Sequence, residues 1–305
     1  LRGLISSDFL TIQPFPELLS NTCILPGNNS IRLILQDENE CIVLLKDKFN
    51  EKRLKNTIRV RLKHKDIPGP KILNHDIAAG WYIEEKIVGL PINRMFDYSK
   101  KNAALVKANA FLNQLYERTS YRLDFKQRLD ELKFEIDYSI TKLAFEDQQA
   151  LQQKLKKIID PVFISLKKYH NKIETIEMAM THGDFQDANI LLLQKREDLI
   201  IQIIDWEHCS ERSINFDAFV YNLKSRSPRG FADRVASLIV SNECPETPIV
   251  YQKQKRFSND ELHLYLLVFI LEELLFRLEE SNFPSAKKIS SGLEIFLDEL
   301  SKINF

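Results

Sequence analysis

Short apolar runs separated by polar turns fill the first third of the chain, and this pattern predicts β-strands. The runs IRLILQ (31–36) and ECIVLLK (40–46) flank a polar DEN triplet, an arrangement typical of a β-hairpin. The run GWYIEEKIVG (80–89) is strand-like and lies between glycines. The basic segment between them (50–66) is compatible with a helix that ends before IPGP. We therefore expect a β-rich region with one helix over about residues 20–90.

The apolar spacing changes after about residue 102, where apolar residues recur every three or four positions. This period predicts three long amphipathic helices, in KNAALVKANAFLNQLYERTS, FKQRLDELKFEIDYSITKLAF and DQQALQQKLKKIIDPVFISLKKYH. A strand NILLL, a turn QKRED and a second strand LIIQIIDWE follow and predict one embedded β-hairpin. Beyond the hairpin we expect helices to the end, apart from a loop at KSRSPRG (224–230).

The most apolar stretch, LHLYLLVFILEELLF (262–276), is the candidate for a membrane-spanning segment. It contains His263, Glu272 and Glu273, and its uncharged part is too short for a bilayer. We interpret it as a buried helix and expect no membrane span.

These patterns define an α+β organisation in two lobes. A small β-rich lobe occupies about residues 1–90, and a connector PINR (91–94) leads into a mainly helical lobe at 91–305 that carries the hairpin.

The charge balance and the cysteine content disfavour several classes of protein. Lys plus Arg equals Asp plus Glu, at 43 each, so no overall field attracts nucleic acid or an acidic membrane. The four cysteines are scattered without metal-ligand spacing, which favours a reducing cytoplasm over a disulfide framework or zinc site. The sequence begins with Leu1 rather than Met, as expected of a processed product or of a domain of a longer chain.

The densest group of chemically active residues lies beside the predicted hairpin, in THGDFQDANILLL (181–193). Asp184 and Asn189 precede the first strand, and Asp205 ends the second. A tight hairpin returns the end of its second strand to the start of its first, so we expect these three side chains and His182 in one pocket. If the second strand continues, Glu207 faces the same side as Asp205.

Carboxylate and amide oxygens without thiolates or paired imidazoles suit Mg²⁺ rather than zinc. An Asp beside a magnesium site that is held by an Asn and a second Asp is the set that phosphoryl transfer needs.

The two motifs HGDFQDANIL and IIDWE, in this order, resemble the aminoglycoside phosphotransferase and choline kinase superfamily, whose fold is protein-kinase-like. The resemblance implies Asp184 as catalytic base and His182 as a support behind the loop. It implies Asn189 and Asp205 as magnesium ligands, with Glu207 as a second acidic neighbour. Asp217, twelve residues after Asp205, matches the helix Asp that braces the catalytic loop in this family.

The resemblance also implies that the front lobe binds ATP. The turn PGNNS (26–30) resembles the short phosphate-covering loop of the family, which makes Gly27, Asn28, Asn29 and Ser30 candidate nucleotide contacts. An ordinary Asn-rich turn is the alternative. Lys46 stands where the family keeps the lysine that contacts the α- and β-phosphates.

Two further positions of the front lobe bear on nucleotide geometry. The family's helix Glu that pairs with the lysine is missing, because the basic helix offers only Glu51 near its start and Asn56 near the usual offset. YIEEKIVG resembles the hinge whose backbone receives adenine, around Glu85 and Lys86.

The expected activity is Mg²⁺- and ATP-dependent phosphorylation of a hydroxyl on a small polar molecule: an amino alcohol such as choline or ethanolamine, a sugar or an aminoglycoside-like compound. Only eleven residues separate Asp205 from Asp217, with neither DFG nor APE, which disfavours a protein kinase. A kinase-like pseudoenzyme or a regulatory nucleotide-binding domain of a larger protein is the alternative.

Overall fold

A computed structural model describes most of the chain. The described residues are 22–27, 30–36, 38–46, 51–65, 67–143, 148–169, 172–195, 198–241, 258–281 and 286–305.

The first part of the chain forms an antiparallel five-stranded sheet with strand order β1-β2-β3-β5-β4. Its strands are β1 (Thr22–Pro26), β2 (Ser30–Leu35), β3 (Glu40–Leu45), β4 (Ile72–Asp76) and β5 (Trp81–Glu85). The expected hairpin is confirmed, because β2 and β3 pair from Ser30 opposite Leu45 to Ile34 opposite Cys41.

The basic segment between β3 and β4 forms helix α1 (Glu51–Lys63), as its composition predicts. Leu54 and Ile58 of α1 are buried against Cys41, Val43 and Tyr82 of the sheet. Glu51 in the first turn and basic residues in the last turn complement the helix dipole. The apolar stripe therefore attaches the helix to one face of the sheet.

The second part of the chain is mainly helical. Its helices are α2 (Tyr98–Thr119), α3 (Phe125–Thr141), α4 (Gln148–Lys167), α5 (Phe216–Asn222), α6 (Phe231–Ser241), α7 (Asn259–Ser281) and α8 (Ala286–Leu300). Asp97 and Asp124 cap α2 and α3, where each carboxylate accepts a hydrogen bond from a backbone N–H three residues on. The three long helices predicted from apolar spacing are thus present as α2, α3 and α4.

The embedded hairpin is present, but the helical part contains more strands than the one expected pair. The hairpin of β9 (Ile190–Lys195) and β10 (Asp198–Ile203) is joined by β6 (Leu90–Pro91). A second sheet has the order β11-β8-β7, built from β7 (Tyr121–Asp124), β8 (Thr175–Thr181) and β11 (Ser210–Ser213). Strands β6, β7 and β11 have two to four residues, too few for a readable alternation, and distant pairing stabilises them.

Helix α7 lies at the centre of the helical part. It contains the apolar stretch 262–276, and its leucines and Phe269 belong to the largest buried cluster, together with side chains of α3, α4 and α8. Glu272 and Glu273 of the same helix are also buried. The expectation of a buried helix is confirmed, and no helix in the described parts of the chain combines the length and apolarity that a bilayer crossing requires.

Candidate active site

Asp217, the second residue of α5, holds the backbone of the loop that follows β8. Its carboxylate accepts hydrogen bonds from the N–H groups of His182 (2.7 Å) and Gly183 (2.8 Å) and from the Tyr116 hydroxyl (2.6 Å). Asp217 is fully buried, so these three donors replace water. Gly183 has φ +86°, and a Cβ there would lie 2.1 Å from the His208 carbonyl oxygen. The loop conformation therefore requires glycine next to the Asp217 contact.

His182 is buried, and its imidazole ring contacts the backbone of the loop. Its Nδ1 accepts the Asp184 N–H at 3.2 Å, which makes Nε2 the protonated nitrogen that donates to the Ile204 carbonyl at 2.9 Å. The ring also packs edge-on against Trp206, with 4.6 Å between ring centroids. His182 thus joins the loop to the far end of the hairpin.

The Asp184 carboxylate lies among side-chain donors from three parts of the chain. Asn189 Nδ2 donates to Oδ2 at 2.9 Å and to the Asp184 carbonyl at 2.8 Å. Gln186 Nε2 contacts both carboxylate oxygens, and Arg226 Nε donates to Oδ1 at 2.8 Å. The structure therefore brings Asp184 and Asn189 into direct contact.

Arg226 is a site residue that sequence analysis did not identify. It comes from the KSRSPRG loop, and its Nη1 lies 2.8 Å from each oxygen of Glu273 in α7. Its guanidinium packs over the Phe276 ring at 3.8 Å, and Nη2 donates to the Gly183 carbonyl. The only sequence signal was a basic loop after α5, which does not specify a partner.

Asp205 follows the hairpin and lies beside the loop. The Ile204 N–H donates to the Asn189 carbonyl at 2.9 Å, so the register of β9 and β10 brings the two motifs together as expected. Asp205 has left-handed backbone angles (φ 68°, ψ 51°), and its Oδ1 lies 3.0 Å from Arg32 Nη2 of β2. This contact joins the five-stranded sheet to the helical part.

Glu207 lies on a 3-10 turn (Trp206–His208), because β10 ends at Ile203 instead of continuing through Asp205. Glu207 was expected to share a strand face with Asp205 only if the strand continued, and the strand does not continue. Burial raises the pKa of Glu207, while Arg32, Arg53 and Lys46 oppose that rise. Burial also lowers the pKa of its neighbour His208 to about 3, so this imidazole is neutral at pH 7.

The donor set can be compared with what Mg²⁺ requires. Because Asn189 Nδ2 makes both contacts to Asp184, its Oδ1 is the atom left to accept a cation. Together with the carboxylates of Asp205 and Glu207, this amide oxygen is a hard oxygen set that fits magnesium. The described residues contain no group of three or more His, Cys, Asp or Glu side chains arranged to hold a metal. The assignment of Asn189, Asp205 and Glu207 as metal ligands thus stays a prediction.

Three of the residues with a predicted nucleotide role meet at the start of β2. Lys46 Nζ donates to the Gly27 carbonyl at 2.5 Å, and the Gly27 N–H donates to the Ser30 carbonyl at 2.9 Å. The structure thus brings Lys46, Gly27 and Ser30 together, whereas Asn28 and Asn29 lie outside the described residues.

Helix α1 presents an arginine to the site. Glu51 accepts a hydrogen bond from Lys55 at 2.8 Å, one turn along the helix. Arg53 is buried and forms ion pairs with Glu280 and, at 3.7 Å, Glu279 of α7. The choice between Glu51 and Asn56 as the partner of Lys46 stays open.

The hinge amides are already hydrogen-bonded. The Glu85 N–H donates to the Lys71 carbonyl at 3.0 Å, and the Lys86 N–H donates to the Asn39 carbonyl at 2.9 Å. Adenine recognition at Glu85 stays a prediction. Because the N–H groups of Glu85 and Lys86 already donate hydrogen bonds, adenine would have to bind other backbone groups of this segment.

No family model matches the sequence, and no curated protein matches it. Solved structures do match the fold. The choline kinase LicA from Streptococcus pneumoniae matches at 13% identity and TM-score 0.55, over 92% of this chain and 94% of that one. An ethanolamine kinase from Plasmodium vivax matches at 16% identity and TM-score 0.55, over 91% of this chain and 80% of that one. An ADP-bound aminoglycoside phosphotransferase, APH(2'')-Ib, matches at 12% identity and TM-score 0.53, over 92% of this chain and 94% of that one. The expectation of a two-lobed kinase-like fold is confirmed.

Proposed function

From this kinase-like fold, we propose that the protein is a Mg²⁺- and ATP-dependent phosphotransferase that phosphorylates a hydroxyl of a small polar molecule. The observation that carries the proposal is the contact between Asp184 and Asn189 on a loop braced by Asp217, with Asp205 beside it at the end of the hairpin. A carboxylate base, an amide ligand and a second carboxylate in this order are what phosphoryl transfer uses.

Asp184 acts as the base in the proposed reaction. The acceptor hydroxyl oxygen forms a bond to the γ-phosphorus of ATP, and the bond from that phosphorus to the bridging oxygen breaks, so ADP leaves with the electron pair. The acceptor proton passes to the Asp184 carboxylate. The bonds from Asn189 and Arg226 hold this carboxylate in one orientation before the acceptor arrives, which lowers the entropic part of the barrier.

Magnesium, when bound by Asn189, Asp205 and Glu207, would neutralise developing charge on the phosphates. Lys46 provides a positive charge beside the 26–30 turn, where Gly27 and Ser30 would cover the phosphates. The ADP-bound neighbour supports nucleotide use.

Two observations support a small-molecule acceptor. Helices α2, α3 and α4 lie in sequence between the predicted hinge and the predicted catalytic loop, where they could form an acceptor pocket. The structural neighbours are named choline kinase, ethanolamine kinase and aminoglycoside phosphotransferase. We propose an amino alcohol, sugar or aminoglycoside-like acceptor.

A kinase-like pseudoenzyme is the second candidate, and one observation favours it. Arginines pair with both key carboxylates, Arg226 with Asp184 and Arg32 with Asp205, and α1 lacks the glutamate that the family pairs with its lysine. Such a protein would bind nucleotide without turnover. Loss of Mg²⁺-dependent ATP binding in Asp205→Asn would indicate a functional nucleotide site in either case.

The deciding experiment measures ADP release from Mg²⁺-ATP across choline, ethanolamine, hexoses, polyols, nucleosides and aminoglycosides. We expect one class to stimulate release in the wild type and in Asp160→Asn, an exposed position on α4. Asp184→Asn should lose at least about a hundredfold of that stimulated rate, the usual scale of general-base catalysis. An unchanged rate in Asp184→Asn contradicts the proposal, and ATP binding without any stimulated release supports the pseudoenzyme.

A further inference from the structure

Arg32 of β2 extends from the sheet face that carries helix α1. Arg32 pairs in register with Val43, and Val43 pairs with Tyr82, so the three side chains form a row on one face. Val43 and Tyr82 pack against Leu54 and Ile58 of α1, which identifies the face. The Arg32 guanidinium passes beyond this apolar row to the helical part of the chain.

The described partner of Arg32 is a residue with a predicted role in the site. Its Nη2 lies 3.0 Å from Asp205 Oδ1, across 173 positions of sequence. The two side chains are 28% and 26% exposed, so water reaches both. The pair is part-buried, so a group that separates the two side chains must offer Arg32 another negatively charged acceptor.

Several cations lie near this pair. Arg32, Lys46 and Arg53 all act electrostatically on Glu207, as does the acidic Asp184. Arg53 is neutralised by Glu279 and Glu280, and Lys46 lies at the 26–30 turn. Arg32, in contrast, is paired with Asp205, and Asp205 is a predicted ligand of the metal that accompanies the nucleotide. When Asp205 binds a cation, the guanidinium loses its charge partner.

A phosphate group meets the requirement of a displaced guanidinium. The planar fork of arginine matches two oxygens of a phosphate, and charge-assisted hydrogen bonds of this kind are among the strongest in proteins. The 26–30 turn has a single glycine, so it offers less freely shaped backbone for cradling phosphates than a glycine-rich loop. A cationic side chain on the adjoining strand would compensate.

We propose that Arg32 is a phosphate-binding residue of the nucleotide site, which exchanges the Asp205 carboxylate for a phosphate of a nucleoside di- or triphosphate. The proposal rests on the proposed use of nucleotide. It assigns Arg32 a role in affinity for the phosphates and none in recognition of the base.

Calorimetric titration with ADP and with adenosine, each with and without Mg²⁺, tests the exchange. In Arg32→Ala we expect the ADP dissociation constant to rise about tenfold to a hundredfold, the scale of a hydrogen bond between charged groups, while adenosine binding stays unchanged. Arg32→Lys should retain part of the ADP affinity. The matched control is Arg59→Ala, an exposed arginine on α1, which should bind ADP like the wild type.

Each outcome decides the proposal. Equal or tighter ADP binding in Arg32→Ala overturns it, and so does an equal loss for ADP and adenosine, which would indicate a structural role. A wild type that binds neither ligand overturns both this proposal and nucleotide use. Circular dichroism checks the fold of each variant, and Arg32→Gln replaces Arg32→Ala if the smaller side chain prevents folding.

Discussion

Arg226 donates a hydrogen bond from Nε to the Asp184 carboxylate at 2.8 Å and holds both oxygens of Glu273 through Nη1. One guanidinium therefore connects the proposed base to helix α7. Glu273 is fully buried and also accepts a bond from Arg277 Nε at 3.0 Å. The charges alternate along this chain of contacts, so no carboxylate is buried without a cation.

Replacing Arg226 by Ala should destabilise the protein and impair its reaction together. The change leaves two carboxylates short of a partner in a poorly solvated region, which costs about 3 kcal/mol. We expect urea unfolding to report this loss and turnover to fall, because Asp184 loses one of the bonds that orient it.

The control for Arg226 is Arg229→Ala, an exposed arginine in the same loop, which should be close to wild type in both measurements. Arg226→Lys keeps the charge without the fork and should lie between. Wild-type stability in Arg226→Ala would show that the Asp184–Arg226–Glu273 contacts carry no net energy.

Asp217→Asn should damage the loop even though the side chain keeps its size. An amide offers one acceptor oxygen where Asp217 receives two backbone N–H groups and a hydroxyl, so its NH₂ group must face a donor. An unsatisfied buried donor costs about 1–3 kcal/mol, and the altered loop should lower turnover.

Thermal unfolding and acceptor-stimulated ADP release would be measured for Asp217→Asn beside Asp233→Asn, an exposed position on α6 that should behave like the wild type. Tyr116→Phe removes only the hydroxyl and should have a smaller effect. If Asp217→Asn matched the wild type in both measurements, the bracing role would be refuted.

Thiol labelling provides a pH-dependent test of the five-stranded sheet, which contains Cys41, and of the segment before β11, which contains Cys209. Burial raises the pKa of Cys41 and of Cys209 to about 12, whereas Cys23 is exposed. A raised thiol pKa means that the reactive thiolate is scarce below it, about one part in ten thousand at pH 8. In a Cys244→Ser background we expect one thiol to react quickly at pH 8, and two more only after unfolding.

The rate of colour development with an aromatic disulfide reagent, with and without denaturant, measures this difference. Raising the pH to 9 multiplies the thiolate fraction of Cys41 and Cys209 about tenfold, to about one part in a thousand, so both should still react slowly in the native protein. Three fast thiols in the native protein would contradict the burial of Cys41 and Cys209.

The amino-acid sequence by itself determined the features that depend on neighbours along the chain. The period of apolar residues specifies α2, α3 and α4, and the β9–β10 register follows from two apolar runs joined by a short turn. That register places Asp205 next to the loop of Asp184 and Asn189, so the proximity of these three residues could be predicted from the sequence.

Only the tertiary structure decided how the charges of the site are paired. Arg226 reaches Asp184 across 42 positions, and Arg32 reaches Asp205 across 173. The sequence around a lysine or arginine does not show whether its side chain is exposed or paired in a site. The side chain is long, and the packing of distant segments determines which partner it reaches. The extra strands β7, β8 and β11 likewise depend on pairing between distant segments, which gives a four- to seven-residue strand a stability that its own sequence does not provide.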